Sequence, residues 1–304
     1  MGTIATIPII DPHQHFWDLG ANYHPWLCDE RPIAFRYGDY SALRRNYLPA
    51  DYLADAAGFD VVNTVYVEAE WDPKDPVGEV RWVEALADRE GLPSAIVAQA
   101  WLDREDAAEV LTAQAAFPRV RGVRQKPAAA PTPKSARRGA PRSMDDPRFR
   151  DGFAMLEPLG FSYDLQTPWW HLDAALDLAR DFPGTQIILN HTGLPADRSA
   201  AGLAGWRSAM VALAEAENVA LKISGLGQPG EAWTVAANAP IVRDAIAMFG
   251  AYRCMFASNF PVDGLCAEFK TIFGGLDAIT ADLPDDQRRG LFHDNAQRIY
   301  RLAV

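Results

Sequence analysis

The stretch Ile7-Pro8-Ile9-Ile10-Asp11-Pro12-His13-Gln14-His15 places two of the six histidines of the chain directly after a short apolar run. The run predicts a buried strand over 7–13, and Pro12, which lacks a backbone donor, indicates that regular pairing ends near Asp11. Alternate side chains of an extended strand share one face, so Asp11, His13 and His15 can point into one cavity. Two such histidines can bind a metal or an acyl oxygen, or can be exposed loop residues.

Seven further β-branched runs follow at spacings that leave room for a helix between them. With the first run they predict eight strands, over residues 7–13, 61–67, 95–102, 120–125, 161–166, 186–191, 218–224 and 252–258. Amphipathic stretches between them predict helices over Val80–Asp88, Ala107–Phe117, Leu172–Phe182, Trp206–Glu217 and Ile241–Phe249. This alternation predicts an α/β protein, a (β/α)8 TIM barrel with its site at the carboxyl ends of the strands. A doubly wound sheet shares the alternation, but no Gly-x-Gly-x-x-Gly turn follows the first strand.

Composition is that of a globular protein, and 304 residues allow either two ordinary domains or one large barrel. The eight repeated units favour one barrel domain over residues 1–304. The net charge of -11 disfavours nucleic acid and anionic membranes as partners, which leaves a small-molecule substrate. No apolar run reaches about 18 residues, and no basic segment leads into an apolar stretch at the amino terminus. Three scattered cysteines do not suggest a disulfide framework, so we expect a cytoplasmic protein. Whether it forms a homo-oligomer is left open.

Two segments are too long for ordinary turns between a strand and a helix. Residues 16–50 are rich in aromatic residues and proline and include His24, whereas residues 126–143 combine proline with several positive charges. We expect both extended loops to cover the barrel mouth or to contact another subunit. A solvated surface loop is the alternative for residues 126–143.

Polar residues at the predicted strand ends are candidates for a functional site. His191 follows the sixth strand and precedes a glycine turn, which places it beside His13 and His15 at the mouth. Arg124 ends the fourth strand, where it can bind a carboxylate through two hydrogen bonds or polarise a carbonyl oxygen. A structural histidine and a structural ion pair are the alternatives for these two positions.

Four further side chains are candidates for binding substrate. Asp164 and Gln166 share one face at the end of the fifth strand, and His171 begins the helix that follows. Lys222 interrupts an otherwise buried seventh strand, and because an unpaired buried lysine is costly, it must reach the mouth or a carboxylate. Hydrogen bonding or ion pairing within the barrel would explain the same residues.

Four segments in order along the chain carry a resemblance to a known family: Asp11–Asp18, Asn190–Gly193, Met255–Asp263 and Phe292–Tyr300. Together they resemble the amidohydrolase superfamily, of the amidohydrolase 2 type, and within it the branch of the 2-pyrone-4,6-dicarboxylate and sugar-acid lactonases. The resemblance covers residues 10 to 302. It implies a barrel hydrolase with His13, His15 and His191 around a substrate carbonyl or a metal.

One position departs from the pattern of that superfamily. The resemblance implies an aspartate after the eighth strand that activates water, but this chain has Asn259 there. An amide cannot act as a general base near neutral pH. Asp263 is the nearest carboxylate, although it could simply cap a helix or lie in a loop. Asp164, Glu68 or His191 could replace it.

The resemblance leaves the metal question open. One zinc held by His13, His15 and His191, with water as a fourth ligand, is a common catalytic arrangement. Lactonases of this branch also work without a metal, with histidines and arginines polarising the carbonyl. We therefore expect either no cofactor or one zinc, with a slight preference for none.

The leading hypothesis is hydrolysis of a lactone from sugar-acid or aromatic catabolism by attack of water on the acyl carbon. His13, His15 and Arg124 would stabilise the oxyanion, His191 would orient water or carbonyl, and Asp263 is the candidate base. The residues expected to bind substrate are Asp164, Gln166, His171, Lys222 and Asn259.

Two rival hypotheses fit the same sequence. A zinc-dependent amide hydrolase or decarboxylase could use the same barrel. Because Asn259 replaces the expected base, a noncatalytic protein that binds sugar acids is a rival from another class.

Overall fold

The computed structural model describes residues 7–303, so residues 1–6 and 304 of the expected domain lie outside it. Eight parallel strands neighbour one another in chain order, which confirms the single-domain (β/α)8 barrel. The strands are β1 Ile9–Gln14, β2 Val61–Val67, β3 Ala95–Gln99, β4 Val120–Arg124, β5 Ser162–Leu165, β6 Ile187–Leu189, β7 Val219–Ile223 and β8 Cys254–Phe256.

Helices follow the strands around the outside of the barrel. They are α1 Pro25–Cys28, α2 Pro49–Asp55, α3 Gly78–Glu90, α4 Ala107–Ala115, α5 Pro147–Phe153, α6 Leu172–Asp181, α7 Ala200–Ala214, α8 Val235–Phe249, α9 Phe269–Thr280, α10 Asp285–Arg289 and α11 Asn295–Ile299. A π-helical turn, Gly290–Asp294, joins the last two. Within residues 7–303, no helix combines the length and the apolar character needed to cross a bilayer.

The first and last strands meet at their carboxyl ends, where the barrel closes. The backbone N–H of Asn259 donates to the carbonyl of His13 at 2.8 Å, and the N–H of His15 donates to the carbonyl of Phe260 at 2.8 Å. These two bonds place the His13–His15 segment directly beside the segment that follows β8. The hydrogen bonds that close the barrel therefore also bring His13, His15 and Asn259 together.

Regular pairing of β1 with β2 ends at Asp11, as Pro12 predicts, although the strand itself continues to Gln14. Its pairing with β2 is irregular between Asp11 and Gln14, the interval that contains Pro12. The Asp11 carboxylate accepts the backbone N–H groups of His13 at 3.2 Å and Ser258 at 2.9 Å. These side-chain bonds replace part of the ladder that Pro12 interrupts.

Two predicted helices begin later than the observed ones, since α7 starts at Ala200 and α8 at Val235. Both first turns are rich in alanine and therefore lack the apolar periodicity used to predict helices. The structure supplies a cap instead: the Ser199 hydroxyl accepts the N–H of Gly202, and the Thr234 hydroxyl accepts that of Ala237. Expected strands were also longer than observed at several ends, where the chain turns towards the mouth.

The interior of the barrel holds an ion pair that the chain's last helix helps to enclose. Lys222 Nζ donates to Asp164 Oδ1 at 2.5 Å, and both side chains are fully buried. The carboxylate also accepts the Tyr300 hydroxyl at 3.0 Å and the Asn190 amide at 2.9 Å. Burial lowers the pKa of Lys222 to about 8, and Asp164 opposes that shift. The predicted need of Lys222 for a carboxylate is thus met inside the barrel.

A second buried carboxyl group positions the loop after β2. Glu79, in the first turn of α3, accepts the Tyr66 hydroxyl at 2.9 Å and the backbone N–H of Ala69 at 2.6 Å, both through Oε1. Its Oε2 is buried without a hydrogen-bond partner in the described part of the chain. Burial and the nearby Glu68 charge raise the pKa of Glu79 to about 8, so the protonated form is favoured in the folded state.

Replacing Lys222 by Met should strongly destabilise the protein, because it leaves the Asp164 carboxylate buried without its cation. We expect a loss of about 3–5 kcal/mol in the free energy of unfolding measured with urea. The control Arg243→Met removes an ion pair to Asp282 that is more than half exposed, and should cost less than about 1 kcal/mol. Adding Asp164→Asn to Lys222→Met should recover part of the loss. Equal effects of Lys222→Met and Arg243→Met would contradict a structural role for the buried pair.

Replacing Glu79 by Gln should stabilise the protein increasingly as pH rises. The unfolded carboxyl ionises near its ordinary pKa, whereas the folded one holds its proton up to about 8. The contribution of Glu79 to the free energy of unfolding is therefore present at acid pH, and it is lost as pH rises from the ordinary carboxyl pKa to about 8. The melting temperature of Glu79→Gln minus that of the parent should grow between about pH 5 and about pH 9. A difference that is constant with pH would refute the raised pKa.

Candidate active site

A cavity of about 200 Å³ opens at the carboxyl ends of the strands. Its lining combines aromatic, apolar and charged side chains: His15, Trp26, Ile33, Ala34, Phe35, Arg36, Ala69, Glu70, Arg124, Lys126, Gln166, His191, Asn259 and Val262. This position is where parallel barrels carry their active sites. We call it the inner chamber.

The structure brings five of the predicted site residues to the wall of this chamber. They are His15, Arg124, Gln166, His191 and Asn259. They come from the end of β4 and from the segments after β1, β5, β6 and β8, so separate strand ends converge on one space. The alternative that His15 is an exposed loop residue is excluded, because only 4% of it is accessible.

His13 lies directly behind the wall. It is fully buried, and its ring centroid lies 4.6 Å from that of His191 and 5.1 Å from that of His15. Its Nε2 lies 3.4 Å from Nη1 of Arg124, and its Nδ1 has no hydrogen-bond partner among residues 7–303. His13 therefore contacts three of the residues around the chamber.

The other predicted site residues lie farther from the chamber. Asp164 and Lys222 form the interior ion pair below it, and Asp263 lies behind Asn259. His171 accepts the backbone N–H of Ala130 at 2.8 Å, which holds part of the 126–143 loop. None of the four lines the inner chamber, so their proposed roles in binding or catalysis stay predictions.

A hydrogen-bonded chain fixes the orientation of His15 and Asn259. Nδ1 of His15 lies 2.7 Å from the Val67 carbonyl, which can only accept, so Nδ1 carries the proton and Nε2 has a lone pair. The Asn259 amide nitrogen donates to Asp263 Oδ1 at 2.7 Å, which turns its oxygen towards His15. Nε2 of His15 and Oδ1 of Asn259 consequently lie 3.3 Å apart as two acceptors.

Asp263 is the anchor of that chain rather than a group that reaches the chamber. Its carboxylate accepts Tyr37 Oη at 2.8 Å, Arg36 Nη2 at 3.1 Å and the Gly225 N–H at 2.9 Å, in addition to Asn259. Burial raises its pKa, although Arg36 and the hydrogen bonds oppose that shift. With four donors around it, the carboxylate holds the amide of Asn259 in a single orientation.

Arg124 is held on one side by Glu68 and is free to bind on the other. Nε donates to Glu68 Oε1 at 2.5 Å, and Nη2 donates to the Glu68 carbonyl at 2.5 Å. Nη1 has only long contacts, at 3.4 Å to His13 Nε2 and 3.3 Å to Gln166 Oε1. This nitrogen is the part of the buried guanidinium best placed to bind a ligand oxygen.

His191 projects into the chamber from a backbone turn of unusual conformation. His191, Thr192, Gly193 and Leu194 all have positive φ, between 53° and 68°. Such a conformation costs energy for residues other than glycine and persists only where surrounding bonds hold it. Thr192 supplies them: its hydroxyl donates to the Ser224 carbonyl at 3.0 Å, and its own carbonyl accepts Trp206 Nε1 at 2.8 Å. Glu70 and Asn259, also on the chamber wall, have positive φ as well.

The three central histidines are neutral near pH 7. Burial lowers the pKa of His15 to about 3, with a further decrease from Arg124. Burial also lowers the pKa of His13 and of His191 well below the ordinary value, and nearby cations lower both further. The positive charge of the site therefore belongs to Arg124, Arg36 and Lys126 rather than to imidazolium groups.

Arg36 and Tyr37, which hold Asp263 from the 16–50 segment, are not among the predicted site residues. No strand end marks them, so the strand pattern carries no signal for these two residues. Their segment is one of the two expected to cover the mouth, and Ile33 to Arg36 line the inner chamber. Lys126, at the start of the other extended loop, pairs with Glu70 on the opposite wall.

The arrangement does not fit a zinc site of His13, His15 and His191, one of the two alternatives left open by the sequence. Among residues 7–303, no three or more His, Cys, Asp or Glu side chains are grouped so that they could hold a metal ion. Nε2 of His13 faces the Arg124 cation at 3.4 Å, which competes with a metal for the same lone pair. The part of the site most suited to a cation is the pair of acceptors formed by His15 Nε2 and Asn259 Oδ1.

The chain matches proteins and structures of one family over nearly its whole length. It is 43% identical over 300 residues to the uncharacterized protein y4mH of Sinorhizobium fredii, covering 98% of this chain and 100% of that protein. It is 27% identical over 304 residues to an L-fucono-1,5-lactonase of Burkholderia ambifaria, covering 96% of this chain and 95% of the relative.

Similar solved structures include an amidohydrolase of Burkholderia multivorans, in one crystal form with bound HEPES and in another with bound zinc. Their TM-scores are 0.80 and 0.79 at 26% identity, and they cover 97% of this chain and 99% of theirs. The family model described as amidohydrolase matches residues 10–302. The chain therefore belongs to the amidohydrolase family, as the resemblance of its four sequence segments had implied.

Proposed function

We propose that this protein hydrolyses a lactone, the cyclic ester of a hydroxylated acid, by attack of water on the acyl carbon. The observation that carries the proposal is one chamber that holds two acceptors 3.3 Å apart, on His15 and Asn259, together with the buried Arg124 cation. The similarity to L-fucono-1,5-lactonases, at 27% identity, supports the same substrate class.

The acceptor pair suits the attacking water. A water molecule that donates one hydrogen to His15 Nε2 and the other to Asn259 Oδ1 would satisfy both lone pairs and keep its own lone pair for the acyl carbon. Asp263 acts in this scheme as a positioning residue, because it fixes the Asn259 amide. His15 accepts the proton of the water as the new C–O bond forms and, because its pKa of about 3 makes it a weak base, holds that proton only until the leaving oxygen takes it.

Arg124 suits the oxygen on which negative charge develops. Nη1 would donate to the carbonyl oxygen of the substrate, and the stabilisation grows as that oxygen becomes an oxyanion. His191 borders the same space and orients the carbonyl. When the ring C–O bond breaks, the leaving ring oxygen takes the proton that His15 accepted from the water, so lactone and water give the open hydroxy acid.

Gln166 and Lys126 complete the binding surface. Gln166 Oε1 lies 3.3 Å from Arg124 Nη1, so its amide lies beside the substrate carbonyl and can bind a neighbouring hydroxyl. Lys126 and Arg36 also line the chamber, each paired with a carboxylate, Glu70 and Asp263, so they can exchange that partner for an oxygen of the substrate or product. We propose on this basis a small-molecule substrate that carries hydroxyl groups and yields an acid.

The test is acid release from a panel of 1,5- and 1,4-lactones of sugar acids, including L-fucono-1,5-lactone, and from 2-pyrone-4,6-dicarboxylate.

Arg124→Lys should lower kcat/KM by about 10²-fold. A lysine keeps the charge but cannot bind Glu68 through two nitrogens while a third binds the substrate oxygen. Arg121→Lys is the matched control, since it changes an arginine of the same strand that donates only to backbone carbonyls. Turnover of amides with none of any lactone would overturn the proposal, and equal activity of both variants would remove Arg124 from the mechanism.

A zinc-dependent hydrolase or decarboxylase is the second candidate, favoured by the acceptor pair that a cation could bridge. We expect dialysis against a chelator to leave kcat unchanged, because Arg124 supplies the positive charge at the carbonyl oxygen. Elemental analysis of the protein before and after dialysis gives the metal content. Loss of activity on chelation, restored by zinc, would replace our proposal with this one.

A further inference from the structure

A second cavity adjoins the inner chamber and is larger, at about 340 Å³. We call it the outer chamber. Its walls include two tryptophans, Trp71 and Trp101, together with the cations Lys126 and Arg142 and the amide of Gln99. None of the sequence motifs pointed to this space, and the proposed reaction does not use it.

Gln99 is a buried polar group without a partner in this chamber. It is the last residue of β3, on the same face as Ala95 and Val97, whose side chains pack inside the barrel. Only 8% of Gln99 is accessible, and Oε1 has no hydrogen-bond partner in the described part of the chain. Because Oε1 is closed off from the cavity in this orientation, the amide turns by half a rotation about its last side-chain bond to present the oxygen to a ligand.

The remaining walls suit a hydroxylated ring. Indole faces are broad and apolar with a polar edge, and they pack against the C–H faces of sugar rings as well as against flat rings. Arg142 Nε lies 3.4 Å from Asp103 Oδ2 and its side chain is 62% exposed, so the guanidinium can turn to a ligand oxygen. A ligand for the outer chamber therefore has an apolar face, hydroxyl donors and oxygen acceptors.

The two chambers form one continuous cleft. Five residues line both of them: Trp26, Ile33, Glu70, Arg124 and Lys126. Arg124, which would bind the lactone carbonyl, is among them, so a substituent on the lactone can extend from the reacting centre into the outer chamber. The ion pair between Glu70 and Lys126 lies at this boundary, where both side chains are partly exposed and can be displaced.

We propose that the outer chamber binds a second sugar ring joined to the lactone, so that the preferred substrate is the lactone of a disaccharide acid. Gln99 accepts a hydroxyl of that ring, and Trp71 and Trp101 pack against it. The proposal rests on the proposed lactonase function and narrows it, since the inner chamber of about 200 Å³ takes the lactone ring and the outer one takes the substituent.

The experiment compares glucono-1,5-lactone with its 4-O- and 6-O-glycosylated counterparts in the parent and in Gln99→Met. Methionine matches the shape of glutamine but cannot accept the hydroxyl, so the variant should fold. We expect the parent to prefer at least one disaccharide lactone by about tenfold or more in kcat/KM, and Gln99→Met to lose about five- to tenfold on that substrate alone. Gln228→Met, which lies outside both chambers, is the matched control and should match the parent on every lactone.

A second measurement separates failure of the subsite from failure of the reaction. Titration calorimetry compares gluconate with lactobionate, the open disaccharide acid, which needs no turnover. Hydrolysis of lactones without any preference for the disaccharide forms, or a preference that survives in Gln99→Met, would overturn the subsite and leave the lactonase intact. Tighter binding of lactobionate that depends on Gln99, without hydrolysis of any lactone, would support the chamber and overturn the reaction. Neither binding nor hydrolysis would overturn both.

Discussion

The carboxylate of Asp11 joins the two ends of the barrel, and the candidate site depends on it. Its oxygens accept the N–H of Ser258 at 2.9 Å, the Ser258 hydroxyl at 2.5 Å and the Tyr52 hydroxyl at 2.8 Å, in addition to the N–H of His13. Burial raises the pKa of Asp11, which these four hydrogen bonds oppose. One carboxyl group thus ties β1 to the segment after β8 and to α2. His13 and His15 come shortly after Asp11 in the chain, and Asn259 comes directly after Ser258, so this network positions all three.

The barrel could be predicted because its signal is repeated. Each strand is a short apolar run whose side chains fill the interior or pack under a helix, and eight such runs with helices between them leave few alternatives. The strand ends were less certain, since the pattern does not show where a side-chain bond replaces a backbone bond. Asp11 is the clearest case, because its carboxylate carries β1 past Pro12.

The site could be predicted only as far as strand ends reveal it. His15, His191 and Arg124 follow apolar runs, and the structure places all three on one chamber. Asp164 and Lys222 are also polar residues in apolar strands, yet they form an ion pair with each other inside the barrel. The sequence pattern does not distinguish a side chain at the mouth from one deeper in the barrel. Arg36, Tyr37 and Gln99 needed the structure. The first two come from a loop, and the importance of Gln99 lies in a missing partner that a sequence cannot show.

The interior network gives the chain an order of assembly. Asp164 is fully buried, and one of its hydrogen-bond donors, Tyr300, lies 136 residues later in the sequence, while Ser258 lies 247 residues after Asp11. During synthesis the early strands can pair and pack with their helices, but Asp11 lacks the donors of Ser258 and Asp164 lacks that of Tyr300 until the late residues leave the ribosome. A nascent barrel therefore carries two carboxylates whose sets of hydrogen-bond donors are incomplete. The part of the chamber wall between β1 and the segment after β8 needs residues from both ends of the chain, so it can form only late in synthesis.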